Sequence, residues 1–373
     1  MSEQQRQYPP GQHPDLPPPM LTSGPVYWVR ENLLNSPLNI ALTIGAIYVL
    51  YLLVPVMLNW ALFDAVIDAE SRKECLSIGS GACWAFVDER SDQFIYGFYP
   101  KEERYRVDIA FSLLIVALIP ILFAQVPGRG KLLWFALAYP FVAFFLLVGS
   151  DTLGLPYVET SKFGGFMLTM VVGVTGIVAS LPIGILLALG RQSEMPIVRV
   201  LSVLFIEFIR GVPLITLLFV ASTMLNYFLP PGTTFDLLLR VLIMVTLFSA
   251  AYIAEVVRGG LQAIPNGQSE AANALGLRYW QSMRLIVLPQ ALKISIPGIV
   301  NTFIGLFKDT TLVSIIGLLD PLGIGRASLS EVRWTGLATE VYVFIAAFFF
   351  ICCFGMSRYS LYLESKLETG YKR

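Results

Sequence analysis

Histidine is almost absent from this sequence: the single one is His13, in a proline-rich N-terminal stretch. One imidazole outside the apolar parts of the chain cannot supply a histidine-based metal site or the base of a serine-histidine protease. The glycine-rich stretch at 127–132 also lacks the pattern of a phosphate loop, because Lys131 is followed by Leu132 where a serine or threonine is required. We therefore expect no catalytic residue, no metal site and no cofactor bound by this chain, and predict that it is not an enzyme.

Charged residues are also scarce. They make up 14% of the 373 residues, against 55% hydrophobic residues, and the mean hydropathy is +0.68. This composition excludes an ordinary soluble domain, and a formal net charge of zero gives no reason to expect a nucleic-acid partner. Several apolar runs approach the length of about twenty residues that a bilayer core requires. They predict an all-α membrane protein with about eight transmembrane helices, at roughly 38–60, 107–126, 131–149, 164–190, 211–229, 236–257, 291–312 and 338–358.

Cysteine occurs four times, in two pairs. Cys75 and Cys83 are separated by a flexible stretch in what is predicted to be an external loop, where an oxidising compartment would allow a bridge. Either they form a disulfide or they remain two free thiols in a packed cap. Cys352 and Cys353 fall within the last apolar run, where cysteine behaves as a small hydrophobic residue.

The apolar runs divide the chain into three parts. Residues 1–37 are rich in proline and polar side chains and predict a disordered cytoplasmic tail. Residues 38–150 predict about three spans with a long external loop at 61–106, and residues 160–373 predict five spans with a polar loop at 258–290. Basic residues gather in the short loops on one side of these spans. The positive-inside rule assigns that side, and with it both termini, to the cytoplasm.

The polar loop carries a spaced motif, E-A-A-x3-G-x9-I-x-L-P. Its members are all present, as Glu270, Ala271, Ala272, Gly276, Ile286, Leu288 and Pro289. Asn266 is a favourable N-cap, Glu270 is then expected in the first turn, where the helix dipole favours an anion, and Gly276 is a natural stop. A helix of about two turns results, which is marginal alone and needs contacts from the protein or from a partner. The alternative is a surface helix that merely joins two spans.

This motif resembles the loop by which permease subunits of bacterial ABC importers dock on their ATPases. The resemblance implies a type I ABC importer permease fold, here with extra N-terminal spans. It also implies that two copies of a partner ATPase use ATP and Mg²⁺ on behalf of this chain. The implied ATPase-docking residues are Glu270, Ala271, Ala272, Leu275, Gly276, Arg278 and Trp280.

Segments on both sides of the motif are similar to those of permeases for polar amino acids. Examples are 206–214, 252–260 and 308–314. The extra upstream spans, with Ala82-Cys83-Trp84 in their loop, resemble the larger M-type permease of general L-amino acid importers. This implies a multi-pass protein of the bacterial inner membrane that translocates L-amino acids. Its further partners are then a second homologous permease, a periplasmic amino-acid-binding protein and membrane lipid.

A helix break is predicted near the start of the fifth span. Proline at 213 disfavours helical geometry at Val212, and Gly211 frees the backbone, so that an amphipathic helix at 196–210 is joined at an angle to a span. Arg210, Gly211 and Pro213 are therefore candidates for a hinge, and the alternative is an ordinary helix break. Glu207, Glu255 and Arg258 lie close to predicted helix ends, which favours a role in the fold or in a cytoplasmic gate over substrate binding.

Polar residues also interrupt the apolar run that starts near 291. Charges at membrane depth are costly, which makes them candidates for a substrate pathway. A broken helix there could leave backbone groups and side chains free to meet a zwitterionic amino acid. The alternative is a Lys–Asp pair that stays at the external interface. The pathway candidates are Lys308, Asp309, Thr310, Thr311 and Ser314.

Two other classes of protein are weighed against the importer. A secondary transporter, whether for amino acids or coupled to ions, acts without an ATPase and needs a coupling carboxylate near mid-membrane. A structural or channel-like scaffold needs no docking loop. The complete motif at 270–289 argues against both.

Overall fold

The protein is helical wherever it forms regular structure. The computed structural model describes residues 24–123, 125–150, 154–224, 227, 230 and 235–367. Within these ranges the named elements are all helices, beside an isolated bridge between Ser150 and Leu155. The predicted all-α class is confirmed. The chain divides into two compact units, Met1–Val66 with Cys75–Ala82 and Ile67–Glu74 with Cys83–Arg373.

The first unit contains the first predicted span. Helix α2 (Pro37–Leu58) continues as a π-helical turn at Asn59–Phe63, close to the predicted 38–60. Ser36 caps this helix, because its Oγ accepts a hydrogen bond from the backbone N–H of Asn39 at 3.2 Å. None of the residues of α2 is buried.

The predicted tail at 1–37 needs a correction at its end. Helix α1 (Pro25–Leu33) precedes α2. Proline suits the first position of a helix, where no intrahelical partner for its N–H is needed, and the apolar residues that follow continue the helix in place of disorder. Residues 1–23 lie outside the described residues, so disorder there stays a prediction.

The external loop predicted at 61–106 is folded. Cys75 and Cys83 are disulfide-bonded, in agreement with the first of the two alternatives for this pair. In the second unit, Phe86 packs against the fully buried Trp334, with ring centroids 5.7 Å apart. The loop contains short helices α3 (Arg72–Ile78), α4 (Ala85–Glu89) and α5 (Ser91–Tyr96).

The second unit holds the remaining spans. Over both units, seven of the described helices are long and apolar enough to cross a membrane, or eight if one bent pair counts as a single span. This agrees with the eight spans predicted from hydropathy. The helices are α6 (Arg104–Leu122), α7 (Arg129–Val148), α8 (Gly165–Arg191), α9 (Pro196–Gly211), α10 (Leu214–Phe219), α11 (Leu237–Gln262), α12 (Asn266–Ala274), α13 (Tyr279–Ser282), α14 (Leu288–Asp309), α15 (Pro321–Ser328) and α16 (Ala338–Leu367).

Helices α8 and α11 pack along each other at the centre of this unit, and α11 also packs on α14. Two apolar clusters fill the space between them. One contains Met167, Leu168, Val172, Val245 and Leu306, and the other contains Ala188, Ile253, Ala254, Val257 and Ala291. The second cluster lies beside the last turns of α11, which lead into the short polar helix α12, so that helix is attached to a packed base.

The bent pair is α9 and α10, which meet at 103°. Val212 between them is extended, with φ −112° and ψ 131°, as the proline at 213 predicts. Gly211 is the last residue of α9 and its φ is not positive. The predicted break is therefore present, and the extended backbone before Pro213 gives the change of direction without a positive φ at Gly211.

Candidate functional site

The motif helix α12 begins one residue earlier than predicted. Pro265 is the N-cap, with φ −59° and ψ 138°, and no side chain caps this end. Asn266 is therefore the first helical residue and not the cap, because the change from extended to helical backbone occurs directly after Pro265. Glu270 consequently lies in the second turn and not in the first, so that the expected contact with the helix dipole is weaker.

The C-terminal end of α12 is closed by Gly276, as predicted. Its φ is +73°, and its N–H donates to the carbonyl of Asn273 at 2.9 Å while that of Leu277 donates to the carbonyl of Ala272 at 3.1 Å. This pair of bonds is the Schellman motif, which favours glycine because of the left-handed backbone. A Cβ on Gly276 meets no atom within 4 Å. A side chain there strains the backbone without crowding neighbouring atoms.

Most of the predicted docking residues form one exposed surface. Leu275 is 78% exposed and Trp280 is 65% exposed, although both are large and apolar. Ala272 is an exception and needs a correction, since it is fully buried and holds α12 against the helical turns that follow. We use the name docking surface for the exposed residues of this set, Glu270, Ala271, Leu275, Gly276, Arg278 and Trp280.

Sequence reasoning missed Tyr279 at this surface. Its side chain is 51% exposed, and its ring stands edge-on to that of Trp280 with centroids 5.3 Å apart. The signal was available, since an aromatic residue directly adjoins Trp280 in the polar loop. Two neighbouring aromatic rings beside an exposed leucine are typical of the anchor residues of a protein interface.

The helices on either side of the docking surface are held together closely. A Cβ on Gly260 in α11 would lie 2.1 Å from Ser295 Oγ and 2.6 Å from the carbonyl oxygen of Ala291, both on α14. Only glycine permits this approach. Ser295 Oγ also donates to the carbonyl of Val256 at 3.2 Å. The helices that precede and follow α12 along the chain are therefore closely packed on each other.

Arg210, one of the hinge candidates, contacts α11. Its guanidinium carbon lies 5.6 Å from the centre of the Tyr252 ring, and its Nη1 lies 3.7 Å from Glu255 Oε2. Both partners belong to α11, the helix that leads into α12. The structure thus brings the residue before the bend at 212 into contact with the helix that precedes the docking surface.

The pathway candidates lie on a helix that tightens but does not break. α14 ends at Asp309 and continues as a 3₁₀ helix at Thr310–Ile316, so the expected broken helix is wrong. The hydroxyls explain this, because each donates to a carbonyl three residues back: Thr310 to Phe307 at 2.7 Å, Thr311 to Lys308 at 2.9 Å and Ser314 to Thr311 at 2.8 Å. These bonds satisfy the local carbonyls without a ligand.

The side chains of this segment differ in exposure. Thr310 is fully buried, which excludes it from contact with a substrate in this conformation. Lys308 is exposed, and Asp309 is half-buried. The two charged residues thus do not share one environment, as expected for neighbours about 100° apart on a helix.

A buried acid that sequence reasoning missed follows this segment. Asp320 is fully buried and caps α15, and its Oδ1 accepts from the N–H of Gly323 at 2.8 Å. Burial raises the pKa of Asp320 to about 6, against a smaller lowering by that hydrogen bond. Its position before Pro321 gives a local signal of an N-cap, but no local pattern predicts its burial.

The chain is similar to known membrane-transport proteins. Residues 180–369 match the family described as binding-protein-dependent transport system inner membrane component. The chain is 48% identical over 422 residues to the glutamate/glutamine/aspartate/asparagine transport system permease protein BztC of Rhodobacter capsulatus, with 95% of this chain and 96% of that protein covered. It is 49% identical over 360 residues to the inner membrane amino-acid ABC transporter permease protein YhdY of Escherichia coli, with 96% and 97% covered.

A shorter relative matches less of the chain. The probable glutamine ABC transporter permease protein GlnM of Bacillus subtilis is 32% identical over 209 residues, which cover 56% of this chain and 93% of that protein. Nearly the whole of a short permease therefore corresponds to a little over half of this chain, whereas the two longer relatives correspond to almost all of it.

Proposed function

Because this chain belongs to the inner-membrane permeases of binding-protein-dependent ABC importers for polar amino acids, we propose that it translocates glutamate, glutamine, aspartate and asparagine. The observation that carries this proposal is the 48% identity over 95% of the chain to a permease with those four substrates in its name. As a permease component it is not an enzyme. An ATPase and a binding protein are its partners. The family assignment favours the importer over both a secondary transporter and a structural scaffold.

The docking surface is the proposed contact with the ATPase. Leu275, Tyr279 and Trp280 leave apolar area open at the end of a closed helix, and Arg278 adds a charge beside them. Such a surface is costly in water and is favoured when a partner covers it. ATP and Mg²⁺ are bound by that partner and not by this chain.

The assembly is proposed to contain two ATPase copies and a second, homologous permease, with this chain as the M-type subunit. Its length supports this assignment, since the relatives that match nearly all of it are the long ones. Both termini are proposed to lie in the cytoplasm, on the same side as the docking surface. The positive-inside rule supports this orientation.

Asp309 is the proposed pathway residue, and Thr311 and Ser314 are neighbours that follow it on the 3₁₀ turns. A half-buried carboxylate offers a charge to the ammonium group of an amino acid, whereas exposed Lys308 is better placed to reach the interface. Thr310 is not proposed again because it is buried.

The test is transport by the assembled complex. The chain is co-expressed with its second permease and ATPase, reconstituted in vesicles, and supplied with the binding protein and labelled L-glutamate. We expect uptake that requires ATP and is reduced by unlabelled glutamine, aspartate or asparagine but not by lysine or leucine. Uptake by the isolated chain without ATP, or equal competition by all five unlabelled amino acids, would contradict the proposal.

A further inference from the structure

One carboxylate in the second unit contacts three arginines. Glu255 on α11 has its Oε1 2.7 Å from Arg191 Nη1, and its Oε2 lies 2.9 Å from Arg258 Nη2 and 3.7 Å from Arg210 Nη1. Its side chain is only 15% exposed. Glu207 contributes a second carboxylate, 2.9 Å from Arg191 Nη1. We name these five residues the Glu255 cluster.

The cluster joins three helices at their ends. Arg191 is the last residue of α8, Arg210 lies next to the end of α9, and Arg258 lies one turn beyond Glu255 on α11. Three positive and two negative side chains leave one excess positive charge. Removal of Glu255 therefore leaves guanidinium groups that repel one another in a partly dry place, which explains why a carboxylate is needed there.

The cluster is also connected to the docking surface. Arg258 Nη1 donates to Gln262 Oε1 at 2.8 Å, within the last turn of α11. Ala263, Ile264 and Pro265 are the three residues that separate this turn from α12. The end of α11 that carries Glu255 and Arg258 is therefore joined to α12 by three residues, and Glu255 contacts Arg210 beside the bend between α9 and α10.

The contacts of the cluster are unequal. Arg191 and Arg258 approach Glu255 within hydrogen-bond distance, whereas Arg210 stands at 3.7 Å and is 35% exposed. Arg210 also has an alternative partner, because its guanidinium lies over the ring of Tyr252. The Arg191 contact joins α8 to α11, and the Arg258 contact lies within α11 itself. The Arg210 contact is the one that can open or shorten without loss of the other two.

We propose that Glu255 is a positioning residue that couples the docking helix α12 to the bent pair α9–α10 through its contact with Arg210. This inference rests on the proposed function, since coupling has meaning only in an ATP-driven importer. It assigns to the cluster a role in transmission and not only in fold stability. In this account the Arg210 contact changes when the ATPase moves α12, while the Arg191 and Arg258 contacts persist.

The test compares amino acid transported per ATP hydrolysed in three variants of the reconstituted complex. Arg210→Gln removes the third contact but leaves two arginines on Glu255. Arg210→Lys keeps the charge and loses the guanidinium fork. Arg199→Gln is the matched control, since Arg199 is an arginine of the same helix α9 whose Nε donates only to the carbonyl of Ser193 at 3.0 Å in the described contacts.

We expect Arg210→Gln to lower the transport ratio by about five-fold or more, which is the lower end of typical coupling between distant sites. Arg210→Lys recovers part of the loss, and Arg199→Gln keeps the wild-type ratio. We also expect the thermal unfolding temperature of Arg210→Gln to stay near that of the wild type. If the contact had a purely structural role, a lower transport ratio would be accompanied by a lower unfolding temperature.

An unchanged ratio in Arg210→Gln overturns the inference while leaving the proposed function intact. Loss of ATP-dependent uptake in the wild type instead contradicts the proposed function. If Arg210→Gln fails to assemble, Glu255→Asp is measured in the same way, since it keeps the charge but shortens the reach to Arg210. A wild-type ratio in Glu255→Asp then overturns the inference, and a reduced ratio supports it.

Discussion

The docking helix α12 precedes one long helical stretch, Tyr279–Ile316, and the polar segment at 308–316 ends it. The two regions use their side chains in opposite ways. In the first region, Leu275 and Trp280 stay exposed although they are apolar. In the second, the hydroxyls of Thr310, Thr311 and Ser314 turn back to carbonyls of their own helix. The side chains of the docking surface remain available to a partner, whereas the hydroxyls of the 308–316 segment are bonded within their own helix.

This difference teaches that polarity in an apolar chain is a poor guide to contact with a ligand. A polar residue can satisfy its own backbone, whereas exposed apolar area beside a rigid helix end cannot satisfy itself. Among the pathway candidates at 308–316, Lys308 and Asp309 carry no hydroxyl and make no bond of this kind, and of these two only Asp309 is half-buried. The variants below test whether the two regions differ in function as they do in structure.

The largest effect is expected from Gly276→Val. Valine at φ +73° strains the backbone by about 2 kcal/mol, which lowers the population of the observed helix-end geometry roughly 30-fold. ATP-dependent uptake in vesicles should fall to a small fraction of the wild-type rate. Gly267→Val is the matched control, because Gly267 lies on the same helix, also has open space around it, and does not have a positive φ. Equal uptake by the two variants would contradict the docking account.

A smaller, more selective effect is expected from Asp309→Asn. Loss of the carboxylate removes the charge available to the ammonium group of the substrate, so uptake should fall while the complex assembles and hydrolyses ATP at the basal rate. Lys308→Gln should be milder because Lys308 is exposed. Initial uptake rates at several glutamate concentrations check this. Unchanged uptake in Asp309→Asn would remove that residue from the pathway.

A pH effect is expected from Asp320. Burial holds its pKa at about 6, above the ordinary value of 3.8, so the folded protein takes up a proton that the unfolded chain releases between these two values. The contribution of Asp320 to stability should therefore be largest below about pH 4 and decrease as the pH rises from 4 to 6, by an amount on the order of 3 kcal/mol. Thermal unfolding of the detergent-solubilised protein from pH 4 to pH 7.5 measures it.

Asp320→Asn is the reference for that measurement. Asparagine can still cap α15 but does not titrate in this range. The unfolding temperature of the wild type should rise relative to that of Asp320→Asn as the pH falls. A difference that does not depend on pH would show that Asp320 is not a buried titrating acid.

The smallest effect on uptake is expected from loss of the Cys75–Cys83 disulfide. The bridge closes a short loop, and its removal should lower the stability of the external cap by on the order of 2–3 kcal/mol. Uptake by Cys75→Ser/Cys83→Ser should remain near the wild-type rate if the bridge only braces the cap. Protection of the cap from protease, measured with and without reductant, is the readout, and Cys352→Ser serves as the control.

The sequence predicted the features that depend on neighbouring residues. Runs of apolar residues gave the spans, Pro213 gave the bend, and Gly276 gave the helix end, because each acts on the backbone beside it. It did not predict the start of α12 or the continuous helix through Lys308–Asp309. At the start of α12, Pro265 and Asn266 are adjacent, and the sequence does not distinguish which of them is the cap. At 308–316, polar side chains that could face a ligand bond instead to the backbone of their own helix.

The remaining misses depend on contacts between distant residues. Arg191 and Glu255 are 64 positions apart and meet only because α8 and α11 pack together. Ala272 belongs to the motif but faces the protein, and nothing in its spacing distinguishes it from exposed Ala271. Burial of Asp320 likewise requires the packed end of α15. Three-dimensional packing decides such cases, which a single sequence does not specify.

The central claim is that the ATPase contacts the docking surface. A photo-crosslinking amino acid placed at Leu275 tests it most directly, with Val332 as the control, since Val332 is 91% exposed in the loop that precedes α16. The account predicts a covalent product with the ATPase from position 275 of the assembled complex and none from position 332. A product from position 332, or none from position 275 in a complex that hydrolyses ATP on addition of substrate, would contradict it.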